Sequence, residues 1–296
     1  MRRALRWLGF AAAGLAAVAI VALLALYGLS ERVLRRAYAA PAAPAFTAAL
    51  PSDSASLAEG RRLAVTRGCY DGCHGHGFAG GVFFDEPGVA RLVAPDLTAA
   101  ARRYSDAELE RIVRHGVRPD GRSVFGMPSG TFHGLSDVDL ARILAFLRSQ
   151  PLAHGVGPAL HAGPLGRVGL LTGRFAPAAV LVRRHAAAPP PTPPDPRDSI
   201  ALGRYVARTT CTECHGADLR GGGGTPALVV ASAYAPEEFR HFLRTGEAKG
   251  GRELPLMSGV ARRRFSRFTD AELDALHAYL RTLATPTGAP AVSVAR

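Results

Sequence analysis

Trp7 to Leu29 is a run of 23 residues without a charge, the longest apolar block in the chain. At helical rise it is long enough to cross a hydrocarbon layer. Beyond it the apolar positions recur at three- and four-residue intervals, the period of an amphipathic helix. One helix is expected to start near Ser56, with Glu59 three residues on as a capping box, and to run into the first cysteine pair. A second starts at Ser105 with Glu108 and buries Leu109, Ile112 and Val113. A third starts at Ser136 and presents Leu140, Ile143, Leu144 and Leu147. The plan then returns: a helix from about Ser199, one after Pro236 burying Phe239, Phe242 and Leu243, and one capped at Thr269 presenting Leu273, Leu276, Leu280 and Leu283. No segment alternates over a strand length, so helix and loop are expected throughout.

The return is an internal repeat. His74-Gly75 is followed after four residues by Gly80-Gly81, and His215-Gly216 at the same interval by Gly221-Gly222. Arg114 to Gly116 matches Arg244 to Gly246, and Ala145 to Arg148 matches Ala278 to Arg281. The offset falls from 141 at the second cysteines to 130 at the middle helices, so the first unit holds about 11 extra residues, expected as a longer loop within Val82 to Tyr104. Between the units, Ala188 to Pro196 carries six prolines and should be extended, while Leu165 to Val182 is apolar but interrupted by Arg167, Arg174 and Pro177. It is expected to lie along the units as a strap, not to span a membrane.

Charge changes the picture at the N-terminus. Of the formal +12, six arginines and Glu31 fall in residues 1–36, leaving +7 for the rest, and Lys249 is the only lysine. Arg2, Arg3 and Arg6 before the apolar run favour a cytoplasmic N-terminus, although Arg32, Arg35 and Arg36 follow it. The alternative is a cleaved signal peptide, for which Ala37-Tyr38-Ala39 is a small-x-small site. Either reading exports the remainder. Nucleic acid is disfavoured as a partner, because the positive charge is spread along the chain and aromatic residues do not alternate with it.

The four cysteines lie in two motifs, Cys69-Tyr-Asp-Gly-Cys73-His74 and Cys211-Thr-Glu-Cys214-His215. Two small disulfide loops or a zinc site are the structural alternatives. Neither needs a histidine directly after the second cysteine, twice. Cys-x-x-Cys-His is the attachment signature of c-type haem: two thiols one helical turn apart bond the two vinyl groups, and the histidine reaches the iron. Cys69 and Cys73 carry one extra residue but still share a helix face, with Gly72 free to bend the insert. Met127 and Met257 lie 54 and 43 residues after Cys73 and Cys214, in Gly/Pro-containing loops at equivalent places, and are the expected sixth ligands. His/Met ligation fills both axial positions and suits electron transfer. His76 and His133 are the nearest competing ligands. Arg262, Arg263, Arg264 and Arg267 are either a solvated turn or a docking patch for an acidic redox partner.

Each unit resembles a class I cytochrome c domain, and the pair resembles the membrane-anchored dihaem cytochromes c of bacterial respiratory chains. In that family a first-helix glycine packs on a last-helix aromatic, which Gly60 with Phe146 and Gly203 with Tyr279 match. The stretch LPLMSGVARRRFSRFTDAELDALHAYLRTL is close to the family's methionine loop and final helix, whereas the Cys69–Cys73 spacing departs from its pattern. The resemblance implies an all-α fold: anchor 1–36, linker 37–53, first cytochrome c domain 54–152, Pro-rich strap 153–196, second domain 197–286 and tail 287–296. It implies two covalently attached haem c groups, held by Cys69, Cys73, His74, Cys211, Cys214 and His215, with iron ligated by His74 and Met127 and by His215 and Met257. It implies an electron carrier on the outer face of the inner membrane, in the periplasm, whose partners are a dehydrogenase, a quinol-oxidising complex or a terminal oxidase. The rival readings are a dihaem peroxidase, a thiol-oxidising dihaem cytochrome, or the cytochrome subunit of a dehydrogenase.

Overall fold

The computed structural model describes residues 2–39, 46–182, 190 and 192–284. Helix α1, Arg2–Leu34, leaves nearly all its apolar side chains exposed. It is the one described helix long and apolar enough to cross a membrane, compatible with an anchor or a signal sequence. His185 and the tail 287–296 lie outside the described residues, as do parts of the linker and of the proline run.

The first unit opens with α2, Ser54–Thr66. Its cap is Asp53, whose carboxylate accepts from the Ser56 N–H at 2.8 Å, and not the expected Ser56–Glu59 box. Glu59 faces along the helix instead and pairs with Arg62 at 2.7 Å. After the first cysteine turn come strands β1, Gly81–Glu86, and β2, Ala90–Ala94, then the helices α3, Leu97–Arg103, α4, Asp106–His115, α5, Ser129–Phe132, and α6, Asp137–Ser149. Ser105 and Glu108 form the expected capping box on α4, and Ser136 caps α6. α2 crosses α6 at Gly60, where a Cβ would overlap the Arg142 carbonyl and lie 3.0 Å from the Phe146 Cβ. Leu63, Phe78, Leu109, Phe132, Leu140 and Leu144 form the core between these helices.

The middle of the strap is ordered into regular elements. It contributes β3, Ala159–Ala162, and two helices, α7, Pro164–Thr172, and α8, Ala178–Val182. β3 pairs with β2, which pairs with β1, in one antiparallel three-stranded sheet. The helical frame is therefore supplemented by a small sheet that the sequence pattern did not announce. The extra residues of the first unit are this hairpin; the second unit has only a tight turn closed by a Gly222–Thr225 bridge at the same place.

The second unit repeats the frame: α9, Ser199–Val206, α10, Thr212–His215, α11, Pro236–Thr245, α12, Met257–Arg263, and α13, Asp270–Thr282. Asp198 caps α9, and Thr269 with Glu272 caps α13. α9 crosses α13 at Gly203, where a Cβ would overlap the Ala275 carbonyl and lie 2.7 Å from the Tyr279 Cβ. Leu273, Leu276 and Leu280 are buried as expected, whereas Leu283 lies past the helix end and is exposed.

The two units meet through polar contacts. The buried Tyr205 hydroxyl donates to Asp139 at 2.6 Å and accepts from the Ser136 N–H at 3.0 Å. Arg62 reaches Glu272 at 3.1 Å, and Thr212 donates to Thr131 at 3.0 Å. These bonds fix the approach of the two cysteine turns.

Candidate functional site

Cys69–Cys73 forms a single π turn, in which the Cys73 N–H reaches back to the Gly68 carbonyl at 3.1 Å. A π turn closes over one more residue than an α turn. It absorbs the extra residue and keeps Cys69 and Cys73 on one side. Gly68 starts the turn at φ 76°, and a Cβ there would come within 2.8 Å of the Arg264 guanidinium carbon. In the second unit a π turn at Ala207–Cys211 leads into α10, so Cys211, Cys214 and His215 follow at ordinary helical spacing.

His74 and His215 are buried, and each is oriented by a proline carbonyl. Nδ1 of His74 lies 3.0 Å from the Pro95 oxygen, and Nδ1 of His215 lies 2.8 Å from the Pro226 oxygen. A carbonyl only accepts, so Nδ1 carries the proton and Nε2 keeps its lone pair for a metal. Burial holds the His74 ring below its ordinary pKa and hence neutral. The repeated Gly-Gly pairs serve the same contact. Gly80 and Gly221 donate to the carbonyls of His74 and His215 at 2.8 Å. At φ 79° and 77° they bring the chain against Pro95 and Pro226, with carbonyl carbons 2.7 and 2.6 Å from where a Cβ would be. The two prolines were missed in the sequence. They sit 21 and 11 residues after their histidines, and the hairpin hides the equivalence.

A cavity of about 790 Å³ occupies the first unit. Cys69, Cys73, His74 and Met127 all line it, with Leu97, Leu109, Phe132 and Leu144 as apolar walls. Its size is within the range of cofactor pockets. Arg67 also lines it, is 1 % exposed, and leaves Nε and Nη2 without a hydrogen-bond partner. A buried guanidinium with unused donors fits an anionic group entering the cavity. The residues present therefore fit a haem: two thiols, an oriented imidazole, a thioether, apolar walls and a buried cation. Met127 lies in the turn before α5, while Met257 is the first residue of α12 and not a loop residue as expected. Met257 and Cys211 pack against one core cluster in the second unit, as Met127 and Cys69 do in the first.

All four cysteines are free thiols. Burial pushes Cys69 and Cys211 up to about 12 and raises Cys73 and Cys214, keeping the thiols protonated. The charges of Arg264 and Glu213 act on all four, and Cys73 also feels Cys214. The two attachment turns thus face each other across the interface. Arg264 bonds Glu213 at 3.1 Å and the Thr66 carbonyl at 3.3 Å, so it belongs to this interface and not to a solvated turn. Arg262 is tied to Glu253. His76 is exposed, and His133 bonds the Arg114 carbonyl at 3.3 Å against His115; neither lines the cavity.

Asp96, next to Pro95, locks this wall. Its carboxylate accepts from Thr98 N and Oγ1, from Ala99 N and from Gly155 N in the strap. Although burial opposes it, these bonds hold the carboxyl below its ordinary pKa. The Asp96→Asn variant should lose about 1–3 kcal/mol at neutral pH, because the new amide faces an N–H. A depressed native pKa gives stability that is complete above the unfolded carboxyl value and lost as pH falls through the native one. Denaturant melts of the two proteins should therefore converge in strong acid. A gap that persists there would mean the carboxylate charge is not what matters.

The cytochrome c family model matches residues 57–151 and 200–284. The cytochrome c subunit of the quinone alcohol dehydrogenase of Gluconacetobacter polyoxogenes is 25% identical over 271 residues, covering 78% of this chain and 57% of the relative. The fructose dehydrogenase cytochrome subunit of Gluconobacter japonicus is 23% identical over 262 residues, covering 77% of this chain and 52% of the relative. One subunit of the nicotinate dehydrogenase of Pseudomonas putida is 32% identical over 114 residues, or 36% of this chain and 10% of the relative. The chain spans about half the length of the dehydrogenase cytochrome subunits it matches.

Proposed function

The chain belongs to the cytochrome c family, and we propose that it relays electrons from a membrane dehydrogenase as that enzyme's dihaem cytochrome subunit. Electron transfer through two covalently bound haem c groups follows from the family. The assignment of residues is our own. Cys69 and Cys73 hold one haem and Cys211 and Cys214 the other, within domains 54–152 and 197–286. His74 with Met127 would hold one iron, and His215 with Met257 the other. The supporting observation is that each histidine offers Nε2 while a proline carbonyl holds Nδ1, at two turns that face each other.

Haem supplies a one-electron iron couple of high potential when a thioether is the sixth ligand. The chain supplies placement. Pro95 and Pro226 fix the imidazole planes, the buried leucines and phenylalanines exclude water, and Arg67 compensates negative charge in the first cavity. The Arg264–Glu213 pair and the Tyr205–Asp139 bond hold the two attachment turns together, which keeps the electron path short. With a histidine and a methionine offered to each iron, electron relay would be favoured over peroxide chemistry. The haem domains are assigned to the outer face of the cytoplasmic membrane, behind α1 as a single-pass anchor, a side supported by Arg2, Arg3 and Arg6 preceding the apolar run.

The kinship to subunits of alcohol and fructose dehydrogenases favours a dehydrogenase as donor over a quinol-oxidising complex or a terminal oxidase. The test is stopped-flow reduction of the purified full-length protein by a partner dehydrogenase and its substrate, with peroxide turnover measured alongside. Reduction of both haems without peroxide consumption supports the relay. Peroxide turnover would transfer the assignment to an enzyme.

A further inference from the structure

We infer that α7 is a second membrane contact, a short helix lying in the interfacial plane of the bilayer beside α1. The inference rests on the anchor reading proposed above. Sorted by exposure, α7 has two faces. Gly166 and Leu170 are buried, whereas Leu165, Val168 and Leu171 are 64%, 45% and 42% exposed and fall within one third of the helix circumference. A soluble strap would turn such side chains inward. The buried face cannot rotate, because a Cβ at Gly166 would overlap the Val89 carbonyl. The apolar face therefore needs an occupant from outside the fold.

Its position identifies that occupant as lipid. α7 packs on the C-terminal part of α1, where the Arg167 guanidinium stacks over the Tyr27 ring at 4.3 Å and bonds Ser30 at 2.8 Å and Glu31 at 3.3 Å. Tyr27 marks a depth. Trp7 and Tyr27 are the aromatic ends of the apolar run, separated along the helix by about 30 Å, the thickness of a hydrocarbon core. Tyr27 is thus at headgroup level on the side of the haem domains, and α7 is held at that level. Exposed Arg32, Arg35 and Arg36 follow Tyr27 in the chain and exposed Arg174 follows α7, supplying charge that anionic headgroups attract. An apolar stripe, a basic rim and continuity with the spanning helix describe an interfacial helix. Its effect would be to add a second membrane contact that helps fix the tilt of the first unit.

The test uses the full-length holoprotein in nanodiscs of phosphatidylethanolamine and phosphatidylglycerol. Single nitroxide labels are placed by Val168→Cys on α7, Leu15→Cys in α1 and Val230→Cys on the second unit, with the wild-type chain as the labelling blank. Collision with oxygen, which concentrates in lipid, is compared with collision with a water-soluble nickel chelate. The Val168 label should favour oxygen several-fold over the Val230 label and approach the Leu15 label. A Val168 label that behaves like Val230, while Leu15 remains in lipid, overturns the inference and leaves the anchor standing. A Leu15 label open to the nickel chelate overturns the anchor itself. A Val168 label shielded from both reagents means a protein covers the stripe, and also overturns the inference.

Discussion

The double variant Cys211→Ala, Cys214→Ala, matured with the c-type attachment system, should keep one covalent haem out of two. Its denatured mass should fall by the mass of one haem, and its reduced-minus-oxidised absorbance by about half, one motif in two having been removed. Any haem that remains must be held at Cys69 and Cys73. The π turn makes the positive result the expected one: the Cys73 N–H to Gly68 bond takes up the added residue and leaves both thiols on the wall of one cavity with His74. Both thiols are free, and burial keeps them protonated. A variant with no covalent haem would show that the longer turn does not attach one, and the chain would carry a single haem in the second unit. The reciprocal change, Cys69→Ala with Cys73→Ala, should give the same half loss.

The frame of this fold was legible because its signals are local. Capping residues such as Ser105 with Glu108 and Thr269 with Glu272, and apolar positions at helical spacing, each announce an element without reference to the rest of the chain. The histidine after each cysteine pair and the matched methionines were legible for the same reason. What was hidden depends on distant partners. β1 and β2 are only six and five residues long, β1 does not alternate, and β2 gains its second partner from β3, some 65 residues later. Pro95 and Pro226 acquire a role only when the hairpin in the first unit, and the tight turn in the second, bring a carbonyl onto a histidine. Arg264 read as part of a basic surface turn, yet it is held at the domain interface by Glu213 and Thr66. Charge runs say nothing of which member faces inward. The Ser56–Glu59 pattern failed for a narrower reason: Asp53, three residues earlier, competes for the same N–H groups and wins.

The axial methionines carry the second large effect. Met257→His should lower the reduction potential of the second haem by on the order of 0.1–0.3 V, a fraction of the roughly 0.8 V that axial ligands span. A thioether favours the ferrous ion and imidazole the ferric, so the direction is downward. Met257 begins α12 with its side chain against the same core cluster as Cys211, and the packed residues after it, Ser258 and Ala261, are fully buried. The helix start is therefore pinned, and a histidine there projects from the same anchored backbone. The potential of the first haem should shift far less, since the two sites share the fields of Arg264 and Glu213 but no ligand. A redox titration of the full-length holoprotein resolves the two steps. Separation of the two potentials, with both haems still low-spin, assigns Met257 to the second iron and predicts that electron flow between the units slows in one direction. An unchanged titration would remove Met257 from the ligand set of the second iron and reopen the peroxidase reading.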